Sequence, residues 1–227
     1  MIHFNCWLAA VGLLLLASNA HAQPAGSELL EGKVTATAVI LAHGIGGGPD
    51  TKVVGPLRKA INGELGCYTL SLQMPVLPTK EFRAYAATFP EAYKTIQEAI
   101  DFLVKEKGIK RIYLLGYSMG ARMTSSFLAN QPAPAVAGFI GVGLLEGGGE
   151  PLDANQNVRR LQIPVLDVYA DSTQLDMKSA NNRQALVSDH YTQLRIEGAE
   201  HSFNGYDAHV TKGVIGWLAE QEKKAGP

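Results

Sequence analysis

Cysteine is scarce in this 227-residue chain, with only two copies. Cys6 falls inside an N-terminal apolar run, so Cys67 stands alone in the body of the chain. An exported chain with one cysteine has no internal disulfide and must be held by its core. Cys67 lies beside a strand pattern, with no His or carboxylate placed to activate it, and reads as a small buried hydrophobe. An excess of one charge is also lacking. Twenty Lys and Arg against 21 Asp and Glu leave a formal net charge of −1, which points away from nucleic acid or acidic lipid as a partner. No apolar run reaches bilayer-spanning length. His, Cys and Asp do not cluster at ligand spacing, so no metal is expected. Nucleotide loops fail as well. The Gly-rich stretch after the first strand has Pro49 where a dinucleotide loop needs its last Gly, no acidic residue ends the second strand, and no Gly-Lys-Ser/Thr follows. No cofactor is expected.

The ends come next. Residues 6–17 are apolar but short, and Ala20-His21-Ala22 follows as a small-residue cleavage signal. That layout is a secretory leader, residues 1–22, cut before Gln23 and giving a periplasmic or secreted protein with no stable membrane insertion. Residues 1–5 carry no Lys or Arg, so an uncleaved membrane anchor is the alternative reading. The remainder, residues 23–227, fits one domain with a sizeable core.

Along that remainder, short apolar runs alternate with longer helical patterns. Strands are expected at 36–42, 68–72, 111–115, 135–145, 163–169 and 192–196. Helices are expected at 52–65, 89–107, 119–130 and about 206–223, the last ending in a solvated charged tail that includes Glu220, Glu222, Lys223 and Lys224. Pro75 and Pro78 make 74–79 a loop. Strand-then-helix order predicts an α/β fold, a mostly parallel central sheet with helices on both faces. Ligands of such sheets bind at the carboxyl ends of the strands.

One turn at such an end carries chemistry. Gly116-Tyr117-Ser118-Met119-Gly120 matches G-x-S-x-G, with a strand before it and a helix after it. The turn is so tight that side chains two residues before and after the serine would collide, which Gly116 and Gly120 avoid. The helix that follows favours negative charge near Ser118. Ser71, Ser125 and Ser126 have no such setting. A second turn, His43-Gly44-Ile45-Gly46-Gly47-Gly48, ends the first strand. Its glycines let backbone amides face the serine, and the expected oxyanion donors are the N–H groups of Ile45 and Met119, with Gly46 as substitute for Ile45. His43 reads as a packing residue that holds this loop.

A serine hydroxyl needs a base. His3 and His21 lie in the leader, His190 reads as surface and His209 falls within the last helix. His201 sits between the last strand and the last helix, and it satisfies the chain order serine, acid, histidine. For the acid, Asp171 is the first carboxylate past the strand at 163–169 and is preferred. Glu146, one strand earlier, and Asp176, five residues further on, are the alternatives. Asp167, inside the strand, reads as structural. The acid must orient the imidazole, so geometry decides.

These motifs resemble the α/β-hydrolase superfamily over nearly all of residues 23–227. The matching residues are His43-Gly44, the Ser118 turn, an acidic turn near Asp171 and Gly198-Ala199-Glu200-His201. Pro164-Val165-Leu166-Asp167-Val168-Tyr169 and Ser71-Leu72-Gln73-Met74-Pro75 are also similar to a group of exported proteobacterial α/β-hydrolases catalogued as a domain of unknown function. Relatives often place the acid where this chain has Thr173, a departure that bears on the acid alone. The resemblance implies an α/β-hydrolase fold and hydrolysis of a small-molecule ester or other acylated substrate through an acyl-enzyme. The polar stretch 146–161, with three successive glycines, implies a minimal lid and an open site for soluble substrates in preference to long-chain lipid. Two rival readings are a catalytically silent binding or assembly protein, which the departure at Thr173 favours, and a hydrolase of peptides or amides.

Overall fold

In the computed structural model, which describes residues 21–33 and 36–226, seven strands form one sheet in the order β1-β3-β2-β4-β5-β6-β7. Strands β2 (Thr37–Ala42), β3 (Tyr68–Leu72), β4 (Arg111–Tyr117), β5 (Val136–Val142), β6 (Val165–Ala170) and β7 (Tyr191–Ile196) pair parallel. Only β1 (Glu28–Leu30), against β3, runs antiparallel. The apolar run of the expected leader lies outside the described residues. No helix among the described residues is long and apolar enough to cross a membrane.

Every residue of β2 is buried, as expected of a strand covered on both faces. The two-residue period of a strand divides it. Ala38, Ile40 and Ala42 pack with α2 (Phe89–Lys105) and α3 (Met119–Asn130), whereas Val39 and Leu41 pack with α1 (Val54–Leu65) and α6 (Asp207–Ala225). On α2 the apolar stripe of Ala92, Ile96, Ala99, Ile100 and Leu103 is buried and Val104 partly so, which is the helical period turning one face inward. Cys67 is buried with the α1 side of the core.

Several segments depart from expectation. Two short helices, α4 (Ala154–Val158) and α5 (Gln174–Asn181), form where the sequence shows no apolar period, and a 3₁₀ turn covers Phe82–Thr88. Asp153 starts α4 by accepting hydrogen bonds from the N–H groups of Asn155 and Gln156. The strand at 135–145 ends at Val142, because Gly143 turns with φ +64°. At the far end, Glu222 is not part of a solvated tail. It accepts hydrogen bonds from Thr37, Arg111 and Tyr113 and ties α6 to the sheet.

The chain steps from β2 outward to β3 and then returns past β2 to β4. That reversal opens a crevice at the carboxyl end of β2 and β4.

Candidate active site

Four strand ends meet at this crevice. The loop after β2 supplies residues 43–47 and the turn after β4 supplies Ser118. The segments after β6 and β7 supply Asp176 and His201.

Ser118 adopts φ 54° and ψ −113°, a region that a residue with a side chain occupies only under constraint. The constraint is visible in what surrounds it. The Ser118 N–H donates to the Val142 carbonyl at 2.9 Å, and α3 begins at the next residue. A Cβ on Gly116 would lie 2.4 Å from the Ala121 Cα, and one on Gly120 would lie 2.2 Å from the Ala42 carbonyl oxygen. The small residues flanking the serine are therefore what lets strand, turn and helix close up.

His201 Nε2 lies 2.9 Å from Ser118 Oγ, and His201 Nδ1 lies 2.8 Å from Asp176 Oδ1. An ionised carboxylate only accepts hydrogen bonds, so Nδ1 carries the proton and Nε2 is free to accept from the serine hydroxyl. The imidazole is fixed on several sides. Tyr117 stacks on it with ring centres 5.9 Å apart, and the Tyr117 hydroxyl donates to the His201 carbonyl. Burial, then the charge of Asp176, push the Tyr117 phenol up to about 12, so this donor stays protonated. Thr173 Oγ1 accepts the His201 backbone N–H at 3.1 Å. Gly143 backs the ring, since a Cβ there would lie 2.9 Å from His201 Cε1.

The expected acid, Asp171, is engaged elsewhere. Its carboxylate takes hydrogen bonds from Arg195 Nε at 2.7 Å and from the Gly198 N–H at 2.7 Å, and the Arg195 hydrogen bond holds its pKa below the ordinary value. Glu146 is also engaged elsewhere, with Asn182 at 2.6 Å and Lys178 at 2.9 Å. The Asn182 bond, then the Lys178 bond, lower its pKa. The carboxylate that reaches the imidazole is Asp176, the third residue of α5. The reason is the turn before the helix. Ser172 N–H binds the Ala199 carbonyl and turns the chain at the end of β6. Asp171 then points to the β7 side, and the first turn of α5 presents Asp176 to His201. Asp176 is 1 % exposed, and its Oδ2 has no polar partner among the described residues.

The loop after β2 is held by His43, which is buried. Its Nδ1 donates to the Gly44 carbonyl at 2.8 Å, and its Nε2 accepts from the Met74 N–H at 3.1 Å. Burial lowers the His43 pKa below 6.5, partly offset by the Gly44 bond, and a neutral ring is what those two bonds require. Gly44 lies against the serine, where a Cβ would come within 3.2 Å of Ser118 Cβ. Among the described residues, the N–H groups of Ile45 and Met119 have no protein acceptor. Met119, the first residue of α3, is among the helical positions whose N–H has no intrahelical partner.

Above the serine lies an open cleft of about 540 Å³ lined by residues 44–47, Thr51, Lys52, Lys80, Tyr117, Ser118 and His201. The segment 146–161 does not reach it. Buried Arg122, on α3, donates to the carbonyls of Gly147, Leu152 and Glu146 and draws that segment down onto its own helix. Leu166, Thr192, Gln193 and Leu194 line a separate pocket against α6, which shares no residue with this cleft. Lys52, Lys80 and Arg122 lie outside every motif of the sequence, and Thr173 stood out only as occupying the place where relatives have the acid. Thr173 also carried a local sign of a helix start, as a cap-type residue three positions before Asp176, although its hydroxyl makes no cap bond and accepts the His201 N–H instead.

The seven-stranded sheet, the strained serine between strand and helix and the histidine after the last strand together give an α/β-hydrolase fold. The chain belongs to the family described as "Protein of unknown function (DUF3530)", whose profile matches residues 85–220. Among solved structures it is similar to Est1E from Butyrivibrio proteoclasticus, at 17% identity over 86% of this chain and 93% of that one, with a TM-score of 0.68. It is also similar to an alpha-beta serine hydrolase homologue from Coxiella burnetii (18% identity, 85% and 90% covered, TM-score 0.66). Dienelactone hydrolase from Anabaena variabilis matches at 16% identity over 86% and 90% of the two chains, with a TM-score of 0.68. No curated protein matches the sequence.

Proposed function

We propose that this protein is a serine hydrolase that cleaves a carboxylic ester or related acyl compound through an acyl-enzyme. The observation that carries the reading is the continuous chain from Ser118 Oγ through His201 to Asp176, at 2.9 and 2.8 Å, with the serine on a strained turn.

In this reading His201 Nε2 takes the Ser118 proton as Oγ attacks the substrate carbonyl carbon. Asp176 stabilises the resulting imidazolium without taking its proton. The oxyanion accepts hydrogen bonds from the N–H groups of Ile45 and Met119, near the positive end of α3. The imidazolium then protonates the leaving alcohol, and the C–O bond breaks to leave an acylated Ser118. Water, deprotonated by His201, repeats the sequence and releases the acid. No step calls on a metal or cofactor.

The open cleft supports a soluble substrate with a short acyl group. Hydrolysis of para-nitrophenyl acetate, butyrate and palmitate tests this directly. Acetate and butyrate are expected to turn over faster than palmitate, and Ser118→Ala is expected to remove at least about 10⁴-fold of the rate. Faster turnover of palmitate would overturn the open-site reading, and equal rates in Ser118→Ala would overturn the mechanism.

We further propose that residues 1–22 are a leader and that the mature protein is periplasmic or secreted, from the apolar run at 6–17 and Ala20-His21-Ala22.

A further inference from the structure

Among the described residues, two charged side chains, both cationic, line the cleft above Ser118 beside the His201 imidazole. Lys52 comes from the loop between β2 and α1, and Lys80 from the loop between β3 and α2. Among the described residues no carboxylate lines this cleft. The chain as a whole has a net charge of −1, so two cations here are a local concentration that a generally basic surface does not explain. Both lysines are exposed, and no carboxylate among the described residues pairs with either. The carboxylate nearest to Lys52 in sequence, Asp50, is held instead by Arg58 at 2.9 Å and Lys59 at 3.0 Å. Lys52 also has a positive φ of 34°. Such backbone costs free energy in a residue with a Cβ and persists where its surroundings impose it, which is common at ligand sites. A hydrogen-bonded turn between Gly48 and Thr51 immediately precedes Lys52.

We propose that the substrate hydrolysed at Ser118 carries an anionic group, a carboxylate or a phosphate, held by Lys52 and Lys80. The proposal rests on the serine-hydrolase reading above and names the substrate class for it. A cleft of about 540 Å³ accommodates a small acyl compound with one such group. The ammonium groups stay in contact with water, so each contributes modestly to binding. An exposed ion pair corresponds to at most about fivefold per lysine, and salt screens it. The anion therefore selects and orients the substrate, while the chemistry stays with Ser118 and His201.

The test compares three esters on the full chain. Para-nitrophenyl butyrate is neutral, para-nitrophenyl hemiglutarate carries a carboxylate on the acyl side, and para-carboxyphenyl butyrate carries one on the leaving group. The reading is the ratio of kcat/KM for an anionic ester to that for the neutral one, in wild type and in the double variant Lys52→Gln/Lys80→Gln. For at least one anionic ester this ratio is expected to fall about 2- to 25-fold in the double variant, and in wild type to fall as salt is raised. Protection of Ser118 from a neutral fluorophosphonate probe separates the two anions. Inorganic phosphate or glutarate is expected to slow labelling of wild type and to lose that effect in the double variant; the more protective anion identifies the headgroup. If wild type labels and hydrolyses all three esters but the ratios do not change in the variant, the anion proposal is overturned and the hydrolase reading stands. A folded wild type that neither labels nor hydrolyses any ester overturns both.

Discussion

At the scale of single residues, the division of labour between two aspartates governs the site. Asp171 sits closer to the strand end, but its lone pairs are taken by Arg195 and Gly198, and Asp176 alone contacts His201. Asp176→Asn is expected to lower kcat by about 10⁴-fold, since an amide at this position favours the wrong imidazole tautomer. Asp171→Asn is expected to leave kcat within about threefold, because this carboxylate binds Arg195 and Gly198 and does not touch His201. The reverse order, measured on the same ester, would reassign the acid. His43 adds a pH dependence. Its pKa is lowered by burial, so below pH 6.5 the unfolded chain takes up a proton that the folded ring refuses. Its contribution to stability is present above 6.5 and is lost as pH falls towards the folded value. A chemical-shift titration of the His43 ring is expected to give a midpoint below 6.5, and a midpoint at or above it would contradict the burial argument. Ser118 and His201 were legible in the sequence because each is marked by its immediate neighbours. Asp176 was visible only as an alternative, because choosing among carboxylates required knowing that Ser172 bonds back to Ala199.

At the scale of elements, α5 has the task of presenting Asp176, and it is pinned at its far end by a buried network. Arg183, fully buried, makes a two-pronged bond to Asp167 at 2.9 Å through both Nε and Nη2, and also binds the Leu144 carbonyl and Asn155. Tyr191 and Gln193 donate to the same Asp167 carboxylate. Removing one partner of such a pair leaves the other buried without compensation. Arg183→Met is therefore expected to destabilise the fold by about 3–5 kcal/mol, read as a lower urea midpoint. A loss below about 1 kcal/mol would show that water reaches Asp167 and that the pair carries little. The long elements could be read from periodicity, α2 from its apolar stripe and β2 from its unbroken apolar run. The short ones could not. Neither α4 nor α5 has an apolar period to announce it, and both are stabilised by contacts that are distant in sequence, Arg122 and Arg183 among them. Asp167, an acid in the middle of a buried strand, was the sequence's one hint of that network.

At the scale of the whole molecule, the parallel sheet gathers residues that lie far apart in the chain. Loops after β2, β4, β6 and β7 all leave the same edge, so residues 43–45, 118, 176 and 201 meet without any dedicated subdomain. This convergence followed from strand–helix alternation alone, whereas the charge at the mouth of the cleft did not, because Lys52 and Lys80 become neighbours of the serine only after folding. At the amino terminus, protein recovered from a Gram-negative host is expected to begin at Gln23, and sequencing that finds an intact Met1 would contradict a cleaved leader. The central claim, a nucleophilic Ser118, is tested most directly by covalent trapping. Folded protein is incubated with a fluorophosphonate probe and the adduct is located by peptide mapping. A single adduct on Ser118, absent from Ser118→Ala, is expected. An unlabelled, correctly folded wild type, or labelling that persists in Ser118→Ala, would contradict it.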